Sequence, residues 1–238
     1  MKTPARAVVM LLALCVGCDI PGLTPEKGNG QLTTDARTVA AFTNVLNTSG
    51  LEVSISEGTA ALDVIIDGNL QEKVITSVAN GTLVVGTSGA VNAHPDARVR
   101  VVLPELADVG LQGSGTVQVS GLSKTKDHKL ANTGSGALRF SGPASILTVL
   151  HTGGGLTQLS GTGNGLAANL SGSGNLDARS FVVTGAAKLV HSGSGTLTAT
   201  VNGTVSFELS GAGNIDWYGT AHVNDDSKDT GTGQINHR

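Results

Sequence analysis

The sequence predicts an all-β chain: a single-stranded, right-handed parallel β-helix, or solenoid, with rungs of about twenty residues. Three observations predict it. A Gly-x-Gly step recurs at near-constant spacing down the second half, starting at Gly113, Gly134, Gly153, Gly172, Gly193, Gly211 and Gly231. Between the steps lie apolar pairs alternating with polar residues: Val117/Val119, Leu138/Phe140, Leu176/Ala178, Leu197/Ala199 and Ile215/Trp217. This is the period-2 pattern of a strand with one buried face. The composition argues against a disordered glycine-rich chain, because 34 glycines accompany 39% hydrophobic residues and a net charge of only −3.

Aromatic residues make up only 3%, so the core has to be aliphatic, and 238 residues are enough to close one. The pI of about 6.0 and the absence of a Lys/Arg cluster exclude a nucleic-acid partner.

Residues 1–17 read as a signal peptide. Lys2 and Arg6 precede an apolar run over 7–16, which is shorter than the roughly 20 residues a membrane span needs. Cys15-Val16-Gly17-Cys18 resembles a bacterial lipobox, although leucine is commoner at the position of Cys15. That resemblance implies lipidation of Cys18 and tethering to a membrane on the periplasmic or surface side of a bacterial envelope. An ordinary signal peptide with incidental cysteines is the alternative. Both cysteines lie in this leader, so maturation at Cys18 leaves a body without thiol or disulfide. Residues 18–34, rich in Pro and Gly near their start, read as lipid anchor and flexible tether.

The body spans 35–238, with less regular rungs over 35–105 and regular ones over 106–238. Val109, Leu130, Val149, Ala168, Leu189 and Phe207 are inward candidates ahead of the steps, and a second glycine often follows a step at Gly121, Gly142, Gly161 and Gly219. A repeat this short cannot bury its own apolar face, but stacked at roughly 4.8 Å per rung it shares a continuous core with its neighbours. Glycine recurs either because φ is positive or because close rung contact excludes a Cβ. Thr133, Thr152, Ser171, Ser192, Ser210 and Thr230 form a hydroxyl ladder, and the tail from His222, with Asp225, Asp226, Lys228 and Asp229, supplies a polar end against strand addition. A β-sandwich or meander with glycine turns is the alternative architecture.

From Arg37 to Ile235 the chain resembles the head GIN domain family, also called putative auto-transporter adhesin, head GIN domain. The resemblance rests on Val39-Ala-Ala-Phe42, Leu51-Glu-Val-Ser-Ile55, Asn80-Gly-Thr-Leu83, Val99-Arg-Val-Val-Leu-Pro104 and the Gly-Ser-Gly steps at Gly113, Gly134, Gly172 and Gly193. It implies a parallel β-helix and an adhesin-like role on an exported, lipid-anchored protein, and it carries over no catalytic or ligand residue.

Candidate chemistry is sparse. His151 and His191 each stand two residues before a step, in one column with Leu111, Asn132, Leu170, Leu209 and Asp229. Two rungs separate them, roughly 9–10 Å, too far to share one metal, so they read as structural corner residues. His94, His128, His222 and His237 read as solvated. Asp177 and Asp216 occupy equivalent positions with Thr198 between them, too few oxygens for calcium and at the far edge of a glycosidase spacing. The serines of the repeated Gly-Ser-Gly steps read as turn residues, since a nucleophile needs its own base. Trp217 falls on the inward parity and Tyr218 on the outward one. The candidate ligand-binding residues are therefore Tyr218, Asp177 and Asp216, with no metal and no cofactor expected. The reading is a non-enzymatic, lipid-anchored envelope protein in a binding or scaffold role, touching the membrane through Cys18 and contacting glycan or protein. The rivals are a polysaccharide-acting β-helix enzyme, which requires Asp177, Asp216 and a histidine to converge within about 5 Å, and a purely structural envelope element.

Overall fold

A computed structural model describes residues 24–238; the signal segment 1–17 and Cys18 lie outside the described residues. Among the described residues no helix is long and apolar enough to cross a membrane. The chain winds into a β-solenoid of about 6 turns.

Each rung contributes a strand to two broad faces, joined at the Gly-x-Gly corner. Face 1 stacks, among others, Asp108–Leu111, His128–Asn132, the 147–151 stretch, Ala186–His191 and Thr204–Leu209. Face 2 stacks Thr116–Ser120, the 137–140 stretch, Thr196–Val201 and Asn214–Tyr218. A narrow third side closes the section, paired over 141–144 with 160–163. The inward file on face 1 runs Val109, Leu130, Val149, Ala168, Leu189, Phe207, each partnered with the next. On face 2 it runs Val117, Leu138, Thr157, Leu176, Leu197, Ile215. All twelve are buried, so the period-2 alternation is realised as one continuous aliphatic core.

The two glycine positions serve different needs. At the Gly-x-Gly corner the rungs nearly touch: a Cβ on Gly134 falls under 3.0 Å from the Gly113 carbonyl oxygen, and Gly153, Gly172 and Gly193 repeat this on the rung below each. There the backbone excludes a side chain by contact, not by dihedral. At the second corner Gly121, Gly161 and Gly219 have φ of 68°, 121° and 99°, the left-handed region that glycine enters without strain.

The first half departs from sequential stacking. Asn44–Asn47 lies between Thr82–Thr87 and Asp108–Leu111, and Glu52–Glu57 between Arg98–Leu103 and Thr116–Ser120. Neighbours here can be 64 residues apart, as in the bond from the Asp108 N–H to the Asn44 side chain. The chain therefore makes an inner rung first, then an outer one, and crosses back over 104–107, where Pro104 needs no amide partner. Antiparallel strands finish this end: Val74–Ala79 on Thr82–Thr87, Ala61–Asp67 on Arg98–Leu103, and Leu32–Ala36 on Ala61–Asp67. The irregularity of 35–105 is thus a reordered, capped end of the solenoid.

The described part of the segment read as flexible tether, 24–34, is ordered. Glu26–Lys27 pairs with Val91–Asn92, and Leu32–Ala36 is the outermost strand. Asp67 is the clasp. Its fully buried carboxylate accepts the N–H of His94 at Oδ2 and of Gly30 at Oδ1, each 2.7 Å. These bonds, the His94 one foremost, hold the acid below the ordinary aspartate value against the opposing pull of burial. A depressed carboxylate contributes stability that is present above its unfolded value of 3.8 and is lost as pH falls through the lower folded value. Asp67→Ala removes the charged acceptor of two part-buried N–H groups, and a hydrogen bond to a charged group contributes about 1.5–3 kcal/mol. We expect early proteolysis within 24–31 and a flatter acid limb of stability; wild-type protease resistance in this variant would contradict the clasp.

Candidate functional site

The outward side chains of face 2 form a polar ladder with one member per rung: Gln118, Arg139, Gln158, Asp177, Thr198 and Asp216. Strand alternation turns them away from the core, although Thr198 is itself buried, packed beneath its neighbours on the ladder. A second outward row carries hydroxyls, with Ser56 beside Ser120, Ser141 beside Ser160 and Thr200 beside Tyr218.

All three candidate ligand residues stand on this face, at its C-terminal end. Asp177 and Asp216 flank Thr198 as the repeat requires. The Asp177 Oδ1 accepts the Thr198 hydroxyl at 2.8 Å and the Arg179 N–H at 3.0 Å. The Asp216 Oδ1 accepts the Asn236 amide at 2.9 Å and the Arg238 Nε at 3.2 Å. Both carboxylates thus already have protein donors. Tyr218 is half-buried, and the Arg179 guanidinium lies 5.3 Å from its ring centroid, covering one face with a cation. Trp217 points inward and is stacked under His237, ring centroids 3.9 Å apart.

The corner histidines belong to another environment. The predicted column is realised as Leu111, Asn132, His151, Leu170, His191 and Leu209, all buried and preceded in register by the buried Asn47, whereas Asp229, in register after Leu209, is exposed. Its polar members bind the corner backbone. The Asn47 Nδ2 donates to the Leu51 carbonyl, and the His191 Nε2 lies 2.9 Å from the Gly195 carbonyl oxygen, each four residues on. The His151 Nδ1 meets the Thr157 hydroxyl at 2.9 Å, and its Nε2 has no partner among the described residues. These rings lie inside the solenoid and Asp177 and Asp216 outside it, so the convergence a polysaccharide-cleaving enzyme requires is not formed.

One histidine expectation is corrected. His128, read as solvated, is buried in His128–Asn132, with its ring 5.6 Å from that of Phe140. It shares the inward parity of Leu130 and Asn132, which the polar run before it obscured. His237, also read as solvated, is exposed yet stacked on Trp217.

Burial holds His128 and His151 below the ordinary imidazole value of 6.5. The unfolded chain then takes up protons first as pH falls through 6.5, so the fold loses stability below that point. His151→Leu, the residue that Leu170 supplies one rung on, is expected to shallow this decline in urea titrations between pH 7 and 5. An unchanged slope would show that His151 does not contribute.

Sequence reasoning missed the character of face 1. Its outward row runs Val84, Leu46, Gly110, Ala131, Leu150, then Asn169 and Val190. Leu150 is 41% exposed, Ile146 on the same strand 45%, and Ile75 at the capped end 48%. The signal was present in Ile146-Leu-Thr-Val-Leu150, where apolar residues occupy both parities.

Among curated proteins, none matches the sequence. A family model described as "Putative auto-transporter adhesin, head GIN domain" matches residues 41–221. A crystal structure of a "putative adhesin" from Bacteroides fragilis is similar at a TM-score of 0.79 and 20% identity, over 89% of this chain and 99% of that one. A "putative adhesin" from Parabacteroides merdae is similar at 0.63 and 18%, over 89% and 98%. A "putative lipid binding protein" from Parabacteroides distasonis is similar at 0.61 and 18%, over 90% and 100%. At these identities the likeness establishes the fold.

Proposed function

The chain belongs to the head GIN domain family, and from that premise we propose that it is an exported cell-envelope protein, lipid-anchored at Cys18, that binds a glycan or an envelope protein in an adhesin-like role without chemically altering it. The observation that carries this reading is the polar ladder of face 2 from Gln118 to Asp216, with a hydrogen-bonding side chain on each rung, that of Thr198 being buried against Asp177. Such a ladder presents donors and acceptors at the regular rung spacing of roughly 4.8 Å along the solenoid. An extended polymer lying along the axis meets a repeated set of partners, and many weak contacts add up where no pocket is needed. The family and structural neighbours carrying the name adhesin support the binding role.

The test is a screen of the body from Thr24 onward against glycans and envelope components, repeated with Arg139→Ala plus Gln158→Ala. We expect a ligand whose binding weakens at least tenfold in the double variant. A ligand bound equally well by both proteins would remove face 2 from the mechanism, and no ligand at all would favour a purely structural role.

A further inference from the structure

We infer that face 1 is a membrane-docking surface, so that the anchored protein lies on its side against the bilayer with face 2 turned away from it. The inference rests on the lipid anchoring proposed above.

The argument begins with where the chain leaves the body. Glu26–Lys27 runs parallel to Val91–Asn92, with the Glu26 N–H bonded to the Ala90 carbonyl oxygen. Val91–Asn92 lies on the connection from Thr82–Thr87 of face 1 to Arg98–Leu103 of face 2. Parallel pairing makes the chain before Glu26 point back toward face 1. Glu26 is held there by Lys73, 2.9 Å away, and Lys73 directly precedes Val74–Ala79, whose Ile75 pairs with Gly86 on face 1. The described chain thus ends at the margin of face 1, beside the exposed Ile75. Cys18 lies six residues before Thr24, a reach of at most roughly 20 Å. A lipid at Cys18 cannot lift the body far from the leaflet, and the margin it must approach is this one.

The chemistry of the face fits a lipid surface. From the capped end to Leu150 its outward positions are aliphatic, small or uncharged polar, apart from Asp108 and Lys129, which are direct partners on adjacent rungs and offset each other. Gly110 and Ala131 floor a shallow trough of about 440 Å³ between the side chains of Leu46 and Leu150. Farther along, Lys188 and Glu208 again stand together, 3.7 Å apart. A face with exposed Ile75, Ile146 and Leu150, whose charges stand beside opposite ones, Lys228 next to Glu208 included, loses apolar contact with water when it meets acyl chains. Face 2, with Arg100, Arg139, Asp177 and Asp216 outward, has no such affinity and remains available to a ligand.

The experiment uses the full chain with its own leader, reconstituted in phosphatidylcholine–phosphatidylethanolamine vesicles. No cysteine follows Cys18, so single thiols introduced at Leu150 or Gln158 take an environment-sensitive fluorophore cleanly. We expect blue-shifted emission at position 150, quenched at least threefold more by a lipid-borne nitroxide than at position 158. In an Ile75→Asp, Leu150→Asp background, a label at Thr148 should lose that quenching while the protein still floats with the vesicles. Flotation with equal quenching at 150 and 158 overturns this inference alone. A blue shift at 150 without lipid quenching also overturns it, and assigns the face to a second copy or another protein. Failure of the chain to float, matching its Cys18→Ser variant, overturns the anchoring reading and this inference with it.

Discussion

Gly134→Ala is expected to destabilise the protein by about 3 kcal/mol, an overpacking penalty at the upper end of the usual range. The added methyl meets the Gly113 carbonyl and the Gln112 backbone on the rung below. Backbone cannot swing aside as a side chain does, and moving it disturbs the ladder bonds of Gly134 and Thr133 to Leu111. The control lies within one step of the same repeat. Gly154 is the middle residue of its corner, where a Cβ meets only the Ser173 hydroxyl at an ordinary 3.5 Å. Gly154→Ala should stay within about 0.5 kcal/mol of wild type. Urea midpoints of the two variants give the comparison, and equal midpoints would refute close rung contact as the reason for glycine.

Phe140→Ala is expected to cost about 3–5 kcal/mol. With aromatic residues at 3% of the chain, the large rings are few and each fills space that no neighbour can reclaim. Phe140 is 1% exposed and lies 6.4 Å edge-on to Phe181, which is fully buried. It also covers His128, whose two ring nitrogens have no partner among the described residues. Removing Phe140 therefore opens a cavity beside a polar ring, and water reaching His128 offsets part of the loss. Phe140→Leu should cost about 1 kcal/mol, near the volume-conserving range. A Phe140→Ala loss under 1 kcal/mol in chemical denaturation would mean that this end of the core is loosely packed.

Much of this architecture was legible in the sequence because one physical rule generates it. Stacked rungs force like positions into files, so Val117, Leu138 and Leu197 announce one another, and the corner glycines do the same. The column containing His151 and His191 followed from the same counting. What the counting missed has a common origin. The order of the first rungs depends on long-range pairing, and Val45 sits between Leu83 and Val109 without a local signal that says so. The burial of His128 depends on Phe140, and the order of 24–34 depends on Asp67, both remote in sequence. The outward parity of Tyr218 and the equivalence of Asp177 and Asp216 across Thr198 follow from the repeat, whereas the contacts that Thr198, Arg238 and Arg179 make with them depend on adjacent rungs and the tail. The apolar character of face 1 is written in Ile146 and Leu150, whose parity is opposite to that of the inward Val149.

The most direct test of the stack is disulfide formation in the cysteine-free body. Arg100, Ser54 and Gln118 stand in that order on three successive rungs of face 2. Adjacent rungs fall within the 4.4–6.8 Å Cα range that a disulfide spans, and alternate rungs do not. The Ser54→Cys, Gln118→Cys pair is predicted to cross-link rapidly under mild oxidation, while the Arg100→Cys, Gln118→Cys pair, much closer in sequence, remains reduced. The reverse outcome would mean that the rungs stack in chain order, and both faces would have to be redrawn.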